Sequence, residues 1–268
     1  MCGINGFNWS SRQKIKEMCI LTKQRGPDNT GIFVDNSISL GHNRLSILDL
    51  SSKGNQPFYY DNKNLAIVYN GEIYNYKKIR EELEKKGYKF RSGTDTEVIL
   101  LGYHAYSTKI LQKLEGMFAF CIYDKKKKSL FLARDKLGIK PFFYYFKDSK
   151  FVFSSDIKPI LQTVGMDNLT LNQQEIYNYS LYKRTLSQSL FDQIKVCPIG
   201  SYLLFDLKKK TLKLKNHYDP ISDISKIDKD SGDYSSYLAE FELLMEKSIR
   251  SHLVSDAKVG VVCSGGHR

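Results

Sequence analysis

The chain opens Met1-Cys2-Gly3-Ile4-Asn5-Gly6-Phe7-Asn8-Trp9, MCGINGFNW over residues 1–9, and the role of the second residue decides how the rest is read. The aminopeptidase that trims initiator methionine accepts only a small second residue, and Cys2 qualifies. Without Met1, Cys2 carries a thiol and a free α-amine on one residue. Such an amine has a pKa of about 8 and serves as a base at neutral pH. A thiol of pKa about 8.5 is a strong nucleophile once ionised. Nucleophile and base then share a residue. The competing reading is an ordinary small residue at the start of a strand, and the opening alone does not separate the two.

The 268 residues suffice for a full core and for more than one unit. No apolar run approaches the roughly 20 residues that span a bilayer. The N-terminus lacks the basic-then-apolar order of a signal peptide. These features predict a cytoplasmic protein with no membrane partner. The five cysteines, Cys2, Cys19, Cys121, Cys197 and Cys263, are odd in number, widely spaced and free of any C-x-x-C. That speaks against a disulfide framework or a zinc site, and the last four sit in apolar surroundings that predict core positions. The five histidines show no metal-ligand spacing, so no metal is expected. A net charge of +12 raises nucleic-acid binding. The lysines, however, are spread along helices and turns, without RNP, helix-turn-helix or zinc-finger patterns. DKKKK (124–128), between FAFCIYD and SLFLARD, reads as a solvated hairpin turn. No nucleic-acid partner is expected.

Strand signals come first, in CGINGFN, GIFVD, ISLGHN and LAIVYN. Between the first two, Ile15, Met18 and Leu21 recur at helical spacing. YKKIREELEKKG predicts a helix ending at Gly87, with Glu81–Lys85 and Glu82–Lys86 as supporting pairs. TDTEVILLGYHAYSTKILQKL predicts a longer helix opened by a capping box from Thr94 to Glu97. Strands follow in MFAFCIYD, SLFLARD, PFFYYF and KFVFSS, then helical stretches around 156–181 and two strands over about 200–217. DPISDISKIDKDSGDYSS is polar and aperiodic, as a linker would be. An amphipathic helix, YLAEFELLMEKSIRSHL, leads to KVGVVCSGG, read as a buried strand running into a glycine turn. The expected organisation is an α+β domain over 2–205, a connecting strand and linker over 206–232, and the start of a second domain over 233–268.

Amide cleavage by Cys2 needs an oxyanion hole and groups that hold the substrate's charged ends. In YNGEIYN (69–75), Asn70 offers a side-chain N–H and Gly71 an unhindered backbone N–H. The plain alternative is that Asn-Gly makes a β-turn. GHNRLSILDL (41–50) sets Arg44 among strand residues, which suggests a carboxylate partner or else an exposed strand arginine. SGTDTE (92–97) puts Asp95 in the first turn of a helix, to favour the dipole or to bind an ammonium group.

Together these stretches resemble the glutamine-hydrolysing asparagine synthetase family, which carries a class II glutamine amidotransferase domain at its N-terminus. The resemblance runs in the family's order through MCGI, RGPD (25–28), GHNRLSILDLS (41–51), NQPF (55–58), YNGEIYNY (69–76), SGTDTEVIL (92–100), LEGMFAFCIYD (114–124), LFLARDKLGIKPFFY (130–144) and FSSDIKPIL (153–161). It implies the four-layer α-β-β-α sandwich of N-terminal nucleophile hydrolases, an α+β fold of two antiparallel sheets with helices outside. It implies Cys2 as nucleophile, its α-amine as base, and Asn70 and Gly71 as oxyanion hole. It implies Arg44 on the glutamine α-carboxylate, Glu72 and Asp95 on the α-ammonium, and the backbone of Leu45 and Ile47 along the pocket. Arg25 and Asp28 would shape the wall behind Cys2. Asn43 and Asn55 stand where a basic residue and His are common, and Gln24 where His is frequent; none of these removes a catalytic group.

VSDAKVGVVCSGGHR resembles the opening of the family's α/β ATP-pyrophosphatase domain, where an S-G-G-x-D-S loop cradles pyrophosphate. Ser264, Gly265 and Gly266 match its nucleotide-binding start; His267 and Arg268 follow, and the Asp and Ser of the loop are missing. The expectation is a truncated gene product or an isolated domain. The implied partners are L-glutamine and the missing synthetase domain, with no cofactor for the glutaminase step and Mg-ATP used only in the full-length parent. The oligomeric state stays open, a homodimer among the options. Two rivals remain open as well: an amidotransferase of this family acting on another carboxylate such as a sugar acid, and an inactive glutamine-binding remnant.

Overall fold

Alternation of apolar residues with period two makes strands whose two faces bury against different layers. The computed structural model describes residues 1–186, 188–224 and 233–261. In chain order the elements are β1 (Gly3–Phe7), α1 (Arg12–Leu21), β2 (Asn29–Asp35), β3 (Ile38–Arg44), β4 (Phe58–Tyr60), β5 (Leu65–Ile73), α2 (Tyr76–Lys85), α3 (Asp95–Tyr106), β6 (Gly116–Asp124), β7 (Ser129–Arg134), β8 (Phe143–Lys147) and β9 (Lys150–Ser154). They continue with α4 (Ile157–Val164), α5 (Gln173–Tyr182), β10 (Ile194–Val196), β11 (Ser201–Asp206), β12 (Thr211–Asn216), α6 (Pro220–Ile224) and α7 (Tyr234–His252).

The strands form two six-stranded sheets, in the orders β10-β8-β9-β1-β3-β2 and β12-β11-β7-β6-β5-β4. All pairings are antiparallel. Between the sheets lie Ile4, Leu40, Ala66, Val68, Cys121, Leu132, Phe151, Phe153 and Phe205. Burying each of these phenylalanines contributes roughly 1.5–3 kcal/mol. Ile15 and Met18 of α1 and Ile160 of α4 cover the outer face of the first sheet, against Phe7 and Val152. Ile79 and Leu83 of α2 and Val98–Leu101 of α3 cover the second, against Ile67, Tyr69 and Phe120. The layers are helix, sheet, sheet, helix, the sandwich expected.

Period two also aims the polar ends of these strands. Cys2 has the parity of Ile4, Arg44 that of Ile38 and Leu40, and Asn70 and Glu72 that of Ala66 and Val68, all of which face the other sheet. Where the apolar alternation stops, the same face continues as Cys2, His42, Arg44, Asn70 and Glu72. The candidate site is thus the polar end of the inter-sheet layer.

Several local expectations are corrected. Asn70-Gly71 is not a turn: both residues lie inside β5, paired with Ala119 and Phe118 of β6. A nine-residue antiparallel pairing outweighs the local turn preference of Asn-Gly. Glu82 ion-pairs with Lys113 at 2.8 Å rather than with Lys86, and the i,i+4 pair of α2 is Arg80–Glu84 at 2.9 Å. Only half of the capping box forms. Thr94 Oγ1 accepts from Glu97 N–H at 3.3 Å, but the Glu97 carboxylate turns to the N–H groups of Arg91 and Ser92. Cys19, Cys121 and Cys197 are buried as read, and Cys263 lies outside the described residues. DKKKK does turn between β6 and β7.

The helix expected near the C-terminus forms as α7, yet Leu238, Phe241 and Leu244 on it are exposed. Residues 258–261, read as the start of a buried strand, pair with no strand among the described residues, and Val259 and Val261 are 52% and 76% exposed. A strand needs a neighbour for its N–H and C=O groups, and none is described beside it. Ser264, Gly265 and Gly266 lie outside the described residues, as does most of the expected linker.

Candidate active site

Cys2 precedes β1 and is half-buried at the mouth of the inter-sheet layer. Leu45, just after β3, holds its sulfur through the backbone. Leu45 N–H donates to Sγ at 3.4 Å, and the Leu45 carbonyl lies 3.6 Å from it as acceptor for the thiol. Arg25 Nε donates to the Cys2 carbonyl at 3.2 Å, and Asp28 Oδ2 accepts from Ser46 N–H at 2.7 Å, fixing the same loop. Burial pushes the Cys2 thiol up, while the Leu45 N–H, the nearby terminal ammonium and Arg44 pull it down and Asp95 pushes it further up. Met1 also lines the cavity, so the Cys2 nitrogen is a peptide amide in the unprocessed chain.

One cavity is lined by Cys2, Arg44, Leu45, Ile47, Asn70, Gly71, Glu72 and Asp95. These are all the residues assigned above to glutamine hydrolysis, and the fold brings them together. Asn70 is 1% exposed, and its Nδ2 donor has no hydrogen-bond partner among the described residues. An orphaned buried donor costs about 1–3 kcal/mol, an arrangement kept when a reacting group supplies the acceptor. Gly71 is required by packing. A Cβ there would stand 2.2 Å from the Met117 carbonyl oxygen and 2.8 Å from Phe118 Cα.

Arg44, 5% exposed, binds the loop that follows it. Nη1 donates to Ser51 O at 2.7 Å and Asn55 Oδ1 at 2.9 Å; Nη2 donates to Leu48 O at 3.2 Å and to Asp49 O. Among the described residues no carboxylate lies within ion-pair distance of it. These four acceptors take the Nη protons but leave Nε–H and the charge without an anionic partner among the described residues, which suits an incoming carboxylate.

Asp95, the first residue of α3, is 4% exposed. Its Oδ2 accepts from Tyr69 O–H at 2.6 Å and from Ile73 N–H at 2.9 Å. Burial raises its pKa to about 6, against the lowering effect of these hydrogen bonds. Glu72 is also pushed up by burial, with Lys140 pulling the other way and Asp95 adding to the rise. The cavity therefore has a cationic side at Arg44 and an acidic side at Glu72 and Asp95, the two ends an α-amino acid requires.

Sequence reasoning passed over several lining residues. Lys140 also lines the cavity, although a lysine in a loop before a strand reads as exposed. Gln56 joins the layers: its Oε1 accepts from Tyr69 N–H at 2.7 Å and its Nε2 donates to Thr96 Oγ1 at 3.2 Å. Buried His42, its Nε2 3.0 Å from Tyr69 O, is held to a pKa of about 3 chiefly by burial, which leaves it neutral. The signals for Lys140 and Gln56 were their places inside the motifs GIKPFFY and NQPF. Among the described residues no group of His, Cys, Asp and Glu is disposed to hold a metal ion.

Solved structures share this fold. Glutamine phosphoribosylpyrophosphate amidotransferase from B. subtilis, complexed with ADP and GMP, superposes with a TM-score of 0.59 at 18% identity, over 81% of this chain and 49% of that one. A structure of the allosteric regulatory enzyme of purine biosynthesis gives 0.60 at 17% identity, with the same coverage. The sandwich is thus the fold of these two enzymes. The glutamine amidotransferase domain family matches residues 1–218, and the chain belongs to that family.

Among curated relatives, a Methanocaldococcus jannaschii protein named as a glutamine-hydrolysing asparagine synthetase is 38% identical over 99% of this chain and 55% of its own length. Asparagine synthetase [glutamine-hydrolyzing] 1 of Bacillus subtilis is 34% identical over 99% and 42%. Asparagine synthetase B of Escherichia coli is 33% identical over 95% and 40%. The chain spans about half the length of these relatives. No helix among the described residues is long and apolar enough to cross a membrane.

Proposed function

We propose that this chain is the glutaminase half of a glutamine-dependent asparagine synthetase, hydrolysing L-glutamine to glutamate and ammonia through a thioester on Cys2. The observation that carries the reading is the meeting, in one cavity, of the Cys2 sulfur, the unpartnered donor of Asn70, the uncompensated cation of Arg44 and the buried carboxylate of Asp95.

With Met1 removed, the α-amine of Cys2 takes the thiol proton and the thiolate attacks the side-chain amide carbon. The resulting oxyanion receives hydrogen bonds from Asn70 Nδ2 and Gly71 N–H, each worth about 3 kcal/mol in the transition state. The protonated amine returns its proton to the departing nitrogen, ammonia leaves, and the γ-glutamyl thioester remains. The amine then takes a proton from water, hydroxide adds to the thioester, and the thiolate departs and is reprotonated. Glutamine and water give glutamate and ammonia, and the enzyme is unchanged.

Arg44 holds the α-carboxylate, Asp95 and Glu72 the α-ammonium, and the Leu45–Ile47 backbone the chain between them. This step uses no cofactor. In the parent protein the ammonia passes to an aspartate activated with Mg-ATP by the synthetase domain, in the cytoplasm; the names of the relatives support that acceptor. The test is a coupled glutamate and ammonia assay on Met1-free protein, with and without Mg-ATP and aspartate. The expected result is about one ammonia per glutamate, no response to ATP and no asparagine. Absence of glutamate from folded, Met1-free protein overturns the reading.

A further inference from the structure

Lys140 sits in the wall of the same cavity, in the turn between β7 and β8, and is only 7% exposed. The turn is built to fix this one residue. Lys140 N–H donates to Asp135 Oδ2 at 3.1 Å, and its carbonyl accepts from Arg134 Nε at 2.9 Å. Asp135 also accepts from Phe118 N–H of β6 at 3.1 Å and from Ile139 N–H at 2.9 Å. Arg134 also donates to the carbonyls of Cys197 and Gly138, each at 2.7 Å. The clamp is thereby anchored to the strand beside β5.

The ammonium itself is left over. Among the described residues Lys140 Nζ has no hydrogen-bond or ion-pair partner, whereas Arg44 gives both Nη atoms to its loop and Arg25 gives Nε to the Cys2 carbonyl. A mostly buried ammonium without a partner is costly unless negative charge stands near it. Burial pulls Lys140 down, and Glu72 first and then Cys2 push it back up; both line the same cavity as Lys140.

We propose that Lys140 is a further functional residue of this site: its ammonium supplies the positive charge that favours the thiolate of Cys2 and the uncharged form of the α-amine that Met1 removal exposes. The inference rests on the reading of Cys2 as nucleophile. On the Cys2 thiol Arg44 and the terminal ammonium favour the thiolate and Asp95 opposes it; on the terminal amine Arg25 and Lys140 favour the uncharged form and Asp28 opposes it, while Glu72 stands in the same cavity as a further carboxylate. Arg25 keeps an unpartnered Nη2 but is not among the residues that line the cavity; of the two cations that do, Lys140 is the one with no acceptor for its charged atom among the described residues. It acts through Cys2 and does not itself transfer a proton.

The test uses the full chain with Met1 removed, as parent, Lys140→Met, Lys140→Gln and Lys140→Arg. Iodoacetamide labelling of Cys2 is followed by intact mass across pH 5 to about 10, a range that brackets thiol and amine ionisation. Both neutral variants should move the labelling midpoint up by at least about half a pH unit, and Lys140→Arg should restore it towards the parent. The acid limb of kcat/KM for glutamine should move in the same direction. Two neutral variants guard against one that fails to fold. A parent-like labelling midpoint in either folded neutral variant overturns the proposal. A parent that labels at Cys2 but forms no glutamate overturns the glutaminase reading instead, while the labelling midpoints still decide the role of Lys140.

Discussion

Asp256 Oδ2 accepts a hydrogen bond from the backbone N–H of Asp49 at 2.7 Å, joining residues 207 apart in sequence. Beside it, the N–H groups of Asp256 and Ala257 reach the Ile47 carbonyl at 2.9 and 3.3 Å. On its other side Asp49 gives its carbonyl to Arg44 and its Oδ2 to Gly93 N–H. The loop that presents Leu45 to Cys2 is thus held from within by Arg44 and from without by the segment after α7.

Asp256→Ala should therefore raise the KM for glutamine about 2–10-fold with a smaller change in kcat. One hydrogen bond near the surface contributes only about 1 kcal/mol, so the melting temperature should barely move. Faster amide exchange at Asp49 in the variant would report the loosened loop. Unchanged KM and unchanged exchange together would show that this contact holds nothing.

Among the cysteines of the described residues, Cys2 should be the reactive thiol. Burial raises Cys19 to about 12 and Cys197 to about 11, and Cys121 is raised as well, so these three stay protonated at neutral pH. Electrophilic glutamine analogues should add one label, on Cys2, to a protein whose intact mass lacks Met1. Full glutaminase activity with Met1 retained, or a label on Cys19 or Cys121, would remove the basis for the mechanism.

Asn70→Ala and Arg44→Ala should separate kinetically. Loss of the Asn70 donor should lower kcat by roughly 10²–10³ with little change in KM, since the donor acts on the transition state. Its stability cost should be small, because Nδ2 has no partner to lose. Arg44→Ala should raise KM at least about tenfold by the loss of a charge-assisted pair. It should also lower the melting temperature, because four loop acceptors lose their donor. Steady-state kinetics with the opposite split would mean that the two roles are exchanged.

The strands carried most of what could be read from sequence, because one parity rule orders both core and site. Ile4 to Cys2, Leu40 to Arg44 and Val68 to Asn70 are continuations of faces already marked by apolar residues. What stayed hidden depends on partners far along the chain. Asn70-Gly71 kept a turn as its plain alternative, which only the pairing with β6 removes. Glu82 looked paired within its helix until Lys113 was beside it. Lys140 became part of the cavity only through the hydrogen bonds of Arg134 and Asp135, and Asp256 only through a docked tail. No local pattern encodes those meetings.

Glutamine affinity should fall in acid through Asp95. In the folded protein without substrate this carboxyl has a pKa of about 6, against an ordinary 3.8, with burial as the main cause. Only its ionised form attracts the α-ammonium of glutamine, so KM should rise as pH falls through about 6, while protonation of the Cys2 amine acts mainly on kcat. Asp95→Asn should have a high KM with little pH dependence over the same range. The sign for stability is the reverse of the usual carboxylate. A folded pKa above the unfolded one means that the native state binds the proton more tightly, so stability is lost as pH rises from about 4 to about 6 and stays lower above that. Asp95→Asn should accordingly be at least as stable as the parent at pH 8, where the parent holds a buried charge that hydrogen bonds from Tyr69 and Ile73 only partly offset. Thermal melts at pH 5 and 8, beside KM measured over the same range, check both halves. A parent KM flat from pH 5 to 8, or an Asp95→Asn variant much less stable than the parent at pH 8, would show that the carboxylate is kept for structure and not for glutamine.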